Sequence, residues 1–101
     1  MKIEIRYFDG CPNWQVTDAL VTRVVEELGL DAEIHRTLID TQEAAERVGF
    51  FGSPSVVING VDPFADPGAQ VGLSCRVYRT ETGLAGSPSQ SQLREALAAA
   101  R

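Results

Sequence analysis

The sequence predicts an α/β fold, with elements in the order β-α-β-α-β-β-α and helices on both faces of a mixed four-stranded sheet. Three observations carry this expectation. Apolar residues switch between a two-residue and a three-to-four-residue period along the first half of the chain. A strand, a helix and a second strand in succession imply a right-handed crossover and parallel pairing. Asn59-Gly60, the strongest two-residue hairpin signal, then implies an antiparallel return.

Ile3, Ile5 and Tyr7 alternate with Glu4, Arg6 and Phe8, giving a first strand over about residues 2–8 that Asp9-Gly10 ends. Pro12 suits the first turn of a helix, where its missing N–H has no intrahelical partner to lose. Trp14, Leu20, Val21, Val24, Val25 and Leu28 then recur at helical steps, so a helix over about 12–28 is expected, stopped by Gly29. Ala32, Ile34, Arg36 and Leu38 alternate with Glu33, His35, Thr37 and Ile39 as a second strand. Asp40 and Glu43 resemble a capping box that opens a helix carrying Ala44, Ala45 and Val48 and ending at Gly49. A short β-prone run, Ser55-Val56-Val57-Ile58, follows Ser53-Pro54.

Residues 61–72 hold Pro63, Pro67, Gly68 and Gly72 and read as an irregular loop. Leu73–Thr80 reads as a further strand and 82–91 as a Gly/Ser/Pro-rich loop. Ser89 or Ser91 caps a last helix carrying Leu93, Ala96 and Leu97. With 101 residues, no repeats and no dividing linker, one domain over 1–101 is expected.

The net charge of −5 argues against nucleic acid or an anionic membrane surface as partner. The N-terminus is a strand pattern and not an apolar leader, and no stretch reaches transmembrane length. A cytoplasmic protein is therefore expected, with thiols reduced at rest. Of nine basic residues only Lys2 is lysine, which together with abundant alanine suggests a GC-rich bacterial genome. One histidine and few clustered ligands argue against a metal site, and no cofactor is expected. His35 falls on the polar register of the second strand and reads as a surface residue.

The chemistry concentrates at Cys11, between the first strand and the first helix. A helix start presents backbone N–H groups without intrahelical partners and the positive end of the dipole, which favours thiolate, while Asp9 opposes it. Three residues on, where a C-x-x-C pair would have its second cysteine, stands Trp14.

Cys11-Pro12 opening the first helix, Ser53-Pro54 directly before a short apolar strand, and Asn59-Gly60 followed by a return strand and a C-terminal helix together resemble the thioredoxin/glutaredoxin superfamily. The likeness covers nearly the whole chain and is nearest to small bacterial thioredoxin-family proteins. It implies a thioredoxin-like fold and thiol redox chemistry on a protein or low-molecular-weight thiol or disulfide. It also implies a cis Pro54 facing Cys11, a substrate-binding wall of Pro12, Trp14, Ser53 and Pro54, and backbone before Pro54 free to pair with an extended substrate.

Trp14 removes the local resolving thiol. Cys11 then works alone with a small thiol as resolving agent, is resolved by Cys75, or is not redox-active. If Leu73–Thr80 pairs with 55–58, Cys75 enters at the far end of the strand, beyond disulfide reach. If the return begins at Val61-Asp62, residues 63–75 travel back towards Cys11. The blander reading of Cys75 is a small buried hydrophobe. Arg76 and Arg79 read either as sites for an anionic thiol or as a solvated face. Two other functions stay open: a non-catalytic module in which Cys11, with or without Cys75, binds a soft metal, an organomercurial or a protein partner, and a redox-inactive scaffold with Cys11 shielded behind Trp14.

Overall fold

The structure, a computed structural model, describes residues 1–66 and 68–101. Its elements are β1 (Lys2–Tyr7), α1 (Trp14–Leu28), β2 (Glu33–Leu38), α2 (Gln42–Val48), β3 (Ser55–Ile58), β4 (Tyr78–Thr80), β5 (Gly83–Ala85) and α3 (Gln90–Ala100). Pro67, part of the expected loop, lies outside the described residues. No helix among those described is long and apolar enough to cross a membrane.

β1 is the centre of a three-stranded mixed sheet, parallel to β2 and antiparallel to β3. The alternation in β1 decides what each face meets. Ile3 and Ile5, both completely buried, join Val21 and Val24 of α1, Val56 and Ile58 of β3, and Leu93 and Leu97 of α3 in the main core. Glu4 and Arg6 point the other way, where they pair with each other at 2.8 Å and Arg6 donates to the Val48 carbonyl at the end of α2. A second cluster of Ile39, Ala45 and Phe50 packs beside α2 with Phe8, Ala44 and Val71.

The sheet differs from the expected four strands. Asn59-Gly60 makes its turn, with Asn59 at φ 51° and a bridge from Ile58 to Val61, but the pairing stops there. Only Tyr78–Thr80 of the expected 73–80 strand is regular, and it pairs with β5 as a separate two-stranded ribbon. Gly83-Leu84-Ala85 lacks β-branched residues and is exposed, so nothing in its composition announces a strand. Thr80 Oγ1 donating to the Gly83 carbonyl closes that hairpin.

Helix starts also shift. α1 begins at Trp14 after the N-cap Asn13, leaving Pro12 outside the helix and not in its first turn. Thr41, not Asp40, caps α2 by accepting from the Ala44 N–H. Ser89 caps α3 in a reciprocal capping box with Gln92.

Candidate functional site

Cys11 sits in the turn between β1 and α1, where its N–H donates to the Phe8 carbonyl at 3.3 Å. The residue is 3% exposed, although Gly10 and Pro12 on either side are exposed. With the N-cap at Asn13, the thiol lies two residues ahead of the cap rather than in the first turn of the helix. Its hydrogen goes across the fold to the Ser53 carbonyl, 3.5 Å from Sγ. Trp14 is half-buried and stacks on Tyr7, with ring centroids 4.1 Å apart.

Ser53 is completely buried, and the Ser53–Pro54 peptide is cis. The Ser53 Oγ accepts from the Phe8 N–H, tying this segment to the end of β1. Its backbone was expected to be free for a substrate. It is instead bonded to the chain's own residues: the Ser53 N–H donates to the Ser74 carbonyl at 2.8 Å and the Arg76 N–H to the Ser53 carbonyl at 2.9 Å. That pair of bonds is a parallel bridge in which Cys75 faces Ser53.

The bridge needs Gly52. At φ +112° it has a conformation that side chains disfavour, and a Cβ there would lie 3.0 Å from the Ser74 oxygen and 3.1 Å from Arg76 Cβ. A glycine just ahead of a pre-proline residue was the sequence's one signal for such a close backbone approach.

Cys75 therefore returns to the Cys11 end of the sheet, and the pairing of Leu73–Thr80 with β3 does not form. Nor is Cys75 a buried hydrophobe: it is exposed, and both cysteines are free thiols. It lines a cavity of about 560 Å³ with Phe51, Phe64, Arg76, Tyr78 and Gln92.

Arg76 is neither a solvated residue nor a free anion site. Its guanidinium pairs with both Asp62 oxygens at 2.6 and 3.3 Å, donates to Ser55 Oγ and the Phe64 carbonyl, and lies 4.8 Å from the centre of the Tyr78 ring. The planar fork of arginine suits this convergence, and lysine does not. Asp62, Phe64 and Tyr78 were not singled out as site residues, because their partners lie far along the chain. His35 is exposed beside Glu33. Among the described residues, no three or more His, Cys, Asp or Glu side chains converge as metal ligands.

Tyr78 is buried and donates its hydroxyl to the Pro54 carbonyl. Burial pushes the phenol well above its ordinary value; Arg76 pulls it down, and Asp62 and Cys11 push it further up. The folded state thus keeps a proton that an unfolded tyrosine releases near pH 10. The stability from this group is complete below about pH 10 and is lost as pH rises beyond it. Phenolate absorbance should show Tyr78 ionising only together with alkaline loss of the fold, and Tyr78→Phe should remove that step. Ionisation of Tyr78 near pH 10 with circular dichroism unchanged would contradict this.

A mixed α/β sheet, a buried thiol between its first strand and first helix, and a cis proline across from that thiol define a thioredoxin-like protein. The sequence matches the family described as "Thioredoxin domain" over residues 1–64, and the chain belongs to that family. The match ends before Cys75, so the 74–76 segment bonded to Ser53 lies outside it. No curated protein and no solved structure matches the chain.

Proposed function

We propose that this protein, as a thioredoxin-like domain over residues 1–101, is a thiol–disulfide oxidoreductase in which Cys11 and Cys75 form the redox pair. The supporting observation is that Cys11 Sγ and the Arg76 N–H converge on one acceptor, the Ser53 carbonyl, at 3.5 and 2.9 Å. Cys75, the residue before that amide, lies opposite Ser53 in the same bridge, which supports its pairing with Cys11. It supplies the second thiol of the pair, the one that Trp14 displaces from position 14.

The chemistry balances without a cofactor. A substrate disulfide takes two electrons and two protons and leaves as two thiols, while the Cys11 and Cys75 thiols join as a disulfide. A dithiol or a low-molecular-weight thiol returns the pair to the reduced state, as a reducing compartment would allow. Pro12, Trp14, Ser53 and Pro54 form the surroundings of the pair.

The test is oxidation of the wild-type chain with a small disulfide, followed by peptide mapping. A peptide joining Cys11 to Cys75 within one chain is the expected product. Oxidised protein that holds only external thiols on separate cysteines, or disulfides only between chains, would end this reading.

A further inference from the structure

The two thiols differ sharply in access. Cys11 is 3% exposed and turned towards the Ser53 carbonyl, whereas Cys75 is exposed in the wall of the 560 Å³ cavity. An extended polypeptide would have to approach Cys11 along the open sheet edge beside it, using unpaired backbone groups as strand addition does. At Ser53 both groups are already taken, by Ser74 and Arg76. That occupation is held in three ways: Gly52 leaves room for it, the Arg76–Asp62 pair anchors it, and the Tyr78 hydroxyl binds the adjoining Pro54 carbonyl. Cys75, by contrast, opens onto the cavity, whose size lies within the range of small-ligand sites, about 300–1,000 Å³. Its wall carries Cys75, together with the apolar surfaces of Phe51 and Phe64 and the amide of Gln92.

We propose that the cavity beside Cys75 admits a low-molecular-weight disulfide, that Cys75 is the thiol that attacks it, and that buried Cys11 is the resolving thiol. The proposal rests on the reading of Cys11 and Cys75 as a redox pair, and assigns the substrate class and the order of steps within it. The Cys75 thiolate attacks one sulfur of the substrate disulfide. The substrate S–S bond breaks, and the first thiol leaves after taking a proton from water. Cys11 then attacks the Cys75 sulfur, gives up its proton, and with it the bond to the Ser53 carbonyl. The Cys75–substrate bond breaks, the second thiol leaves protonated, and the intramolecular disulfide remains. The substrate is reduced and the cysteine pair oxidised by the same two electrons.

The experiment follows mass against time after mixing reduced protein with bis(2-hydroxyethyl) disulfide. Cys11→Ser should gain one mercaptoethanol adduct, mapped to Cys75, at close to the wild-type rate of first thiol release. Cys75→Ser should be labelled at Cys11 at least tenfold more slowly. In wild type, limited alkylation with iodoacetamide should modify Cys75 at least tenfold faster than Cys11, a measurement that requires no variant to fold. Labelling of Cys75→Ser as fast as Cys11→Ser, or alkylation of Cys11 first, overturns the assigned order while leaving the redox pair intact. Failure of wild type to form the Cys11–Cys75 disulfide removes the pair itself. A protein disulfide, insulin, should react with wild type at least tenfold more slowly than the small one, and Asp62→Asn should narrow that gap. Equal rates for the two disulfides in wild type would overturn the substrate class.

Discussion

In Cys11→Ser, release of the second substrate thiol is expected to fall by at least about a hundredfold, because exchange needs a second sulfur to break the mixed disulfide. Serine keeps the size and hydrogen-bonding capacity of the side chain, so its hydroxyl can still donate to the Ser53 carbonyl that accepts from Cys11 Sγ. The fold should therefore survive while the chemistry stops. The distinguishing measurement is the count of thiols released per chain in a single turnover. Wild type should release both halves of the disulfide, and the variant only one. Release of both by Cys11→Ser at the wild-type rate would show that an external thiol, not Cys11, completes the exchange.

Phe50→Ala is expected to cost about 3–5 kcal/mol, the usual range for emptying a well-packed aromatic site. Phe50 is completely buried and is the largest member of the cluster with Ile39 and Ala45, against which Phe8 and Val71 pack. Its carbonyl accepts from the Gly72 N–H, so the residue also fixes where the chain turns towards Ser74 and Cys75. A domain of this size has about 5–15 kcal/mol in all, so the variant should sit near the edge of unfolding. Urea titration should show a lower midpoint with an unchanged slope. A loss below about 1 kcal/mol would mean that Phe50 does not anchor the second cluster. A normal loss with undiminished formation of the Cys11–Cys75 disulfide would separate that cluster from the placement of Cys75.

The first half of the chain was legible because its determinants are local. Ile3 and Ile5 at a spacing of two, Val21 and Val24 at a spacing of three, and Gly29 after Leu28 each report their own element, and the parallel pairing of β1 and β2 follows from crossover handedness. Helix starts were less legible. Pro12 fits a first helical turn equally well inside or outside the helix, and Thr41 competes with Asp40 as a cap, so side-chain reach in the folded chain decides.

The second half was legible only in part. Cys75 had two placements from sequence, and its exposure was misread because cysteine is so often buried. Arg76 looked like a free cation because Asp62, Ser55 and Phe64 are distant along the chain. β5 carries no β-forming composition and pairs through a hairpin closed by Thr80.

What the sequence determined by itself is the β-α-β core and a cysteine between its first strand and first helix, because periodicity, turn residues and chirality act over a few residues at a time. The tertiary structure alone decided that Ser53 is bonded to the 74–76 segment and that Cys75 lies opposite Ser53. Those placements arise from backbone hydrogen bonds between segments some twenty residues apart, from the space Gly52 leaves, and from the ion pair of Arg76 with Asp62. None of these leaves a periodic mark on the sequence.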